Sequence, residues 1–114
     1  MLMKKNTMLM LTAVLAFAVA PKMFAADGAT IYSDTCAQCH GDDGKGKTTK
    51  GKRLHIRDFS DPKVQDSFTD DDAIKAVKEG VKDKDNVILM KAYKNDYTDD
   101  EVKAVVAYFR TLKK

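Results

Sequence analysis

Cys36, Ala37, Gln38, Cys39 and His40 form one run: two thiols three positions apart, with an imidazole directly after the second. Three chemistries could use that arrangement. Thiols one helical turn apart can each add to a vinyl group of one porphyrin, and the next side chain is then placed beneath the iron as an axial ligand. The same pair could cycle between dithiol and disulfide, but that use expects a strand–helix–strand setting, and this chain reads as helical. A zinc site needs four ligands. Only His55 could readily join Cys36, Cys39 and His40, and the adjacent Cys39 and His40 are poorly placed to share one ion. A structural disulfide between the two would close a very small loop and stabilise little. Covalent haem attachment is the reading that uses all three side chains, with Cys36 and Cys39 as thioether anchors and His40 as the iron ligand.

A second axial ligand has to come from elsewhere, and the amino-terminal segment narrows the choice. Met1–Thr7 carries Lys4 and Lys5 and no acid, Met8–Ala20 is 13 residues without a charge, and Pro21 is followed by Met23-Phe24-Ala25-Ala26. Charged, apolar and small-residue regions in that order make a secretory leader. The apolar run is well short of the ~20 residues a membrane-spanning helix needs. Residues 1–25 are therefore expected to be a signal peptide, cut after Ala25 or Ala26, and residues 26–114 the single domain. Of six methionines, five (Met1, Met3, Met8, Met10 and Met23) leave with the leader, and Met90 stays. The remaining candidates for the far side of the iron are Met90, His55 and a lysine. Met90 ends the apolar run Val87-Ile88-Leu89, which suits a thioether facing a dry pocket; the bland alternative is a gap-filling core methionine.

Leader removal also changes the charge. Lys4, Lys5 and Lys22 are three of the 20 bases, which leaves 17 against 17 acids. The basic balance belongs to the leader, and nothing in the remainder argues for nucleic-acid binding.

Three helices are expected to position these residues, joined by long loops, with no confident strand. The first begins at a capping Asp27 and runs to Cys36, with small or apolar residues at 28, 31, 32 and 35. Gly41, Gly44, Gly46 and Gly51 then mark a loop. Lys45, Lys47, Lys50, Lys52, Arg53 and Arg57 make that stretch basic, either as a solvated surface or as a docking patch. Asp61-Pro62 suggests a turn. The second helix starts at Thr69, carries Asp70, Asp71 and Asp72 in its first turn, presents Ala73, Ile74, Val77 and Val81, and stops at Gly80. Met90 falls in the loop before the third helix. That helix opens with the capping box Thr98-Asp99-Asp100-Glu101, and Val102, Val105, Val106, Phe109 and Leu112 form its apolar stripe.

On these residues the chain resembles the class I c-type cytochromes, in particular the short monohaem bacterial periplasmic type, over essentially all of residues 26–114. Gly28 and Tyr32 stand eight and four residues before Cys36. In that family such a glycine and aromatic cross the carboxy-terminal helix, and Val105 and Tyr108 match the partner pattern. The resemblance implies an all-α, haem-centred cytochrome c fold with crossing terminal helices, one covalent haem c, and a distal Met where Met90 stands. Gly51-Lys52-Arg53-Leu54 occupies the place of the family's frequent Gly-Pro-x-Leu, so the Lys52 carbonyl is the expected acceptor for the His40 N–H. Lys52, Arg53, Leu54, His55 and Tyr93 are the expected haem surroundings, with Arg53, His55 or Arg57 near the propionates. Lys91 follows Met90 where the family often has Pro.

The implied function is a soluble periplasmic carrier of single electrons, not an enzyme. It would act as a monomer with transient redox protein partners and no small-molecule substrate. Acidic stretches at 66–72 and 96–101 opposite the basic 45–57 segment would orient docking. The alternatives are an electron-accepting subunit of a dehydrogenase or oxidase, a ligand-binding haem sensor, and a thiol–disulfide oxidoreductase.

Overall fold

The computed structural model describes residues 13–16 and 27–114. The proposed leader falls almost wholly outside the described residues. Among the described residues no helix is long and apolar enough to cross a membrane.

Asp27 caps the first helix as expected, its Oδ1 accepting from the Thr30 N–H at 2.8 Å. The helix does not end at Cys36. α1 (Gly28–Ile31) passes into a wider π-type turn over Tyr32–Cys36, and α2 (Ala37–His40) continues it to Gly41. The Ala37 N–H donates to the Tyr32 carbonyl five residues back, the mark of a π-bulge. Gly41 closes the helix at φ +81°, its N–H donating to Ala37 at 2.9 Å.

The loop that follows holds two short helices that periodicity does not reveal. α3 (Thr49–Arg53) is capped by Thr48, and α4 (Pro62–Gln65) by Asp61, with Pro62 in its first turn. The expected turn at Asp61-Pro62 is thus the start of a helix. α5 (Asp70–Glu79) and α6 (Asp99–Arg110) are the two long helices, and both open with complete capping boxes, Thr69 with Asp72 and Thr98 with Glu101.

Two expectations are corrected. Val81 does not extend the apolar face of α5; after Gly80 it starts β1 (Val81–Lys82). Met90 is not in a loop but ends β2 (Ile88–Met90), which pairs antiparallel with β1 through Val81 with Met90 and Lys82 with Ile88. The hairpin escapes a period-two search because its apolar residues do not alternate in burial: Val87 is 55% exposed and Ile88 62%.

The terminal helices cross, and Gly28 is the contact point. A Cβ there would lie 2.1 Å from the Ala104 carbonyl oxygen and 3.1 Å from Cβ of Tyr108, so only a glycine admits this approach. Ile31, Tyr32 and Val105 form the buried cluster at the crossing, with Cys36, Ala37, Tyr108, Phe109 and Leu112 packed around it. Adding Val102 and Val106 completes the buried apolar side chains of the described residues. That is a thin core for a domain of this size, which needs a further source of stability.

Candidate functional site

The attachment run lies on the last turns of the amino-terminal helix, so its residue directions are set by the π-bulge before it. Cys36 and Cys39 are both unpaired. Burial pushes the Cys36 thiol up to about 11, with Cys39 adding to the rise. Among the described residues no group of three or more His, Cys, Asp or Glu is placed to hold a metal ion, which leaves the zinc alternative without a donor set.

His40 sits behind the thiols. Its ring lies edge-on to two aromatics, with centroids 5.5 Å from Phe59 and 5.6 Å from Phe109. Those two rings are 4.7 Å apart, and Phe68 closes on Phe59 at 5.8 Å. Burial lowers the His40 pKa from its ordinary value, so the imidazole is kept neutral, the form that binds a metal. The Nδ1 atom is buried with no hydrogen-bond partner. The expected partner is engaged elsewhere: the Lys52 carbonyl accepts from the His55 amide at 3.3 Å. The backbone around His40 is fixed instead by its own carbonyl, which accepts from Gly46 at 2.7 Å, and by the Cys39 carbonyl, which accepts from the Thr48 hydroxyl at 2.7 Å.

Phe59 and Phe109 are themselves held from behind. The Gln65 side-chain amide donates to both of their carbonyls, at 2.7 and 3.1 Å. Arg110 Nη1 donates to the Gln65 backbone carbonyl and, at 3.0 Å, to its Oε1. The guanidinium continues to the Phe68 carbonyl at 2.8 Å and to Asp70 at 2.7 Å, and lies over the Phe68 ring at 4.3 Å. Sequence reasoning finds Phe109 in the stripe of α6 but misses Phe59, Gln65 and this role of Arg110, which links residues 40 or more positions apart.

On the other side, Tyr93 is half-buried, and its pKa is raised by burial first and then by Cys36 and Cys39, which places it near the thiols. A cavity of about 320 Å³ is lined by Thr35 and Gln38 from the attachment helix and by Lys91, Tyr93 and Tyr97 from the segment after Met90. Thr35 Oγ1 and the Tyr97 hydroxyl are hydrogen-bonded at 2.5 Å across it. Met90 is half-buried at the end of β2. Of the remaining expected surroundings, Leu54 is half-buried, while Lys52, Arg53 and His55 are exposed, His55 with a φ of +55°.

Residues 25–113 match the family described as Cytochrome c. The chain belongs to that family. This cytochrome c is similar to the KustC0563 c-type cytochrome, with 35% identity and a TM-score of 0.68, over 78% of this chain and 100% of that one. A tyrosine-to-phenylalanine variant of the same protein matches at 33% identity and a TM-score of 0.65, over 77% and 100%. Cytochrome cL from the marine methylotrophic bacterium Methylophaga aminisulfidivorans MPT shares the fold at 21% identity and a TM-score of 0.51, over 75% of this chain and 51% of that one. No curated protein matches the chain.

The family carries a covalently bound haem c with its iron, and Cys36 and Cys39 fit the attachment motif. The residues present fit that group: two free thiols, a buried imidazole directly after the second, and a core too thin without an additional apolar body. The cytochrome is an electron-carrying haem protein that passes electrons to redox partners.

Proposed function

We propose that this cytochrome c is a periplasmic monohaem carrier of single electrons, with His40 and Met90 as the axial ligands of its iron. The observation that carries the reading is His40, immobilised between Phe59 and Phe109 next to two unpaired cysteines. Cys36 and Cys39 would hold the porphyrin through thioethers. Leu54 and Tyr93 would contact it, with Lys52, Arg53 and His55 at its solvent rim. Residues 1–25 would be the leader that takes the chain to the periplasm and is then removed.

Haem c, when bound, supplies an iron that alternates between ferrous and ferric states. The chain's part is to keep the surroundings the same in both. The Gly46 and Thr48 hydrogen bonds fix the backbone of the proximal ligand, and the two phenylalanines limit rotation of its ring. A thioether on the far side favours the ferrous state and raises the potential. With both axial positions filled by protein, no site remains for a small-molecule substrate. Exchange then depends on brief contacts with redox proteins, which bury little surface, and a monomer suffices.

Maturation in a host competent to attach haem tests the reading. The intact mass is expected to equal residues 26–114, or 27–114, plus one haem. The reduced protein at neutral pH is expected to bind no carbon monoxide. Ready uptake of carbon monoxide would contradict a filled coordination sphere.

A further inference from the structure

α5 ends where the Met90 segment begins its return, and four observations tie the two together. Gly80 closes α5 at φ +78°, its N–H donating to Ala76 at 2.8 Å. A Cβ on Gly80 would stand 2.6 Å from the Met90 carbonyl oxygen, 2.9 Å from the Ala92 nitrogen and 3.1 Å from the Lys91 carbonyl carbon. All three are backbone atoms, so no side chain can move aside to make room. Val81, the next residue, pairs with Met90 across the hairpin. Beyond Met90, the Tyr93 and Lys94 amides donate to the Val77 and Lys78 carbonyls at 2.9 and 3.2 Å. The unpaired carbonyls of the last turn of a helix normally turn to water or a cap; here they take the chain on the far side of Met90.

The Met90 backbone is thus clamped before and after by the carboxy-terminal end of one helix. At the same end of that helix, Lys78 forms an exposed ion pair with Asp99 of α6 at 2.8 Å.

We propose that the end of α5, with Gly80 at the closest approach, is the device that positions Met90 as the distal ligand. The proposal rests on Met90 being that ligand. Gly80 and the Val77 and Lys78 carbonyls touch no haem atom in this account; they act through the Met90 backbone. A thioether is a weak ligand on a flexible side chain, so it holds its place at the iron only if its backbone is held. Displacing that backbone by the width of a methyl group withdraws the sulfur while the Cys36, Cys39 and His40 side remains intact.

The test uses the haem-loaded protein and four variants, Gly80→Ala, Lys94→Pro, Val102→Ala and Met90→Ala. Gly80→Ala is expected to keep its covalent haem by mass but to lose most of the weak near-infrared sulfur–iron band of the oxidised state. Its reduced form is expected to take up carbon monoxide, and its midpoint potential to fall. Lys94→Pro removes the amide that reaches Lys78 and is expected to give the same changes in smaller measure. It decides alone if Gly80→Ala yields no haem protein. Val102→Ala destabilises the core of α6 by cavity formation and is expected to keep the full band below its unfolding temperature. The proposal is overturned if the haem-loaded Gly80→Ala and Lys94→Pro proteins keep the full band and refuse carbon monoxide. It is also overturned if Val102→Ala loses the band equally, since the effect would then be general loosening. If the unaltered protein lacks the band, or Met90→Ala keeps it, the ligand assignment itself fails and takes the proposal with it.

Discussion

The Ala104 carbonyl oxygen lies 2.1 Å from the point where a Cβ on Gly28 would stand. The two terminal helices therefore meet backbone to backbone, and the crossing packs Tyr32 against Tyr108 and Phe109, with ring centroids at 5.3 and 6.1 Å. Gly28→Ala is expected to push the helices apart and cost about 2–4 kcal/mol, read as a lower denaturant midpoint of the haem protein. An unchanged midpoint would mean that the helices are not held at this distance in solution.

The clamp behind His40 gives a second expectation. Gln65 is 2% exposed and joins the carbonyls of Phe59 and Phe109 to Arg110. Gln65→Ala leaves those carbonyls and the guanidinium partly unsatisfied in a buried site, at a cost of about 2–4 kcal/mol. Chemical denaturation checks the size, and a loss below about 0.5 kcal/mol would show that the network contributes only at the surface level.

That network also marks where the sequence becomes unreadable. The helix starts are local patterns: Thr98 with Glu101 forms its capping box as read, and Thr69 starts α5 as read, with Asp72 completing a second box. The attachment run is equally local, which is why Cys36, Cys39 and His40 stand out. Arg110 reads from sequence as a cation at a helix end; its actual partners are Gln65, Phe68 and Asp70, which only the folded chain brings near. The wide turn at Tyr32–Cys36 has no propensity signal, because one residue extra in a helical turn is selected by what the helix must present. The β1–β2 hairpin is invisible for a related reason: its register is set by Gly80 and the end of α5, and not by alternation within the strands.

Haem supplies the centre of the core, so removing its anchors removes the fold. Cys36→Ala combined with Cys39→Ala is expected to give a chain with weak far-ultraviolet helix signal and no cooperative thermal transition. The buried apolar set around Ile31, Tyr32 and Val105 is too small to hold a domain of this length alone. A cooperative transition in the double variant would refute that.

Acid should weaken the protein through carboxylates held by hydrogen bonds at its helix starts and in one turn. Asp27 and Asp72 are held below the ordinary carboxylate value of 3.8 by hydrogen bonds from Thr30 and Thr69, respectively. Asp99 is lowered by the hydrogen bond and charge of Lys78, and Asp58 by Ser60. A carboxylate with a depressed folded pKa contributes its full stabilisation above the unfolded value and loses it as pH falls through the folded value. The Tm of the haem protein is expected to be level near neutral pH and to fall below about pH 4. Asp72→Asn, which retains a polar side chain without the charge, is expected to make the acid limb shallower. A Tm that rises on acidification would reverse the sign and reject this assignment.

The central claim is that the iron is held between His40 from the attachment helix and Met90 from the hairpin. The near-infrared absorption of the oxidised haem protein, recorded beside Met90→Leu, tests it most directly. The weak sulfur–iron band is expected in the parent protein and absent in the variant, with the covalent haem unchanged in both. A parent protein without the band, or a variant that retains it, would contradict the assignment of Met90 and with it the filled coordination sphere of an electron carrier.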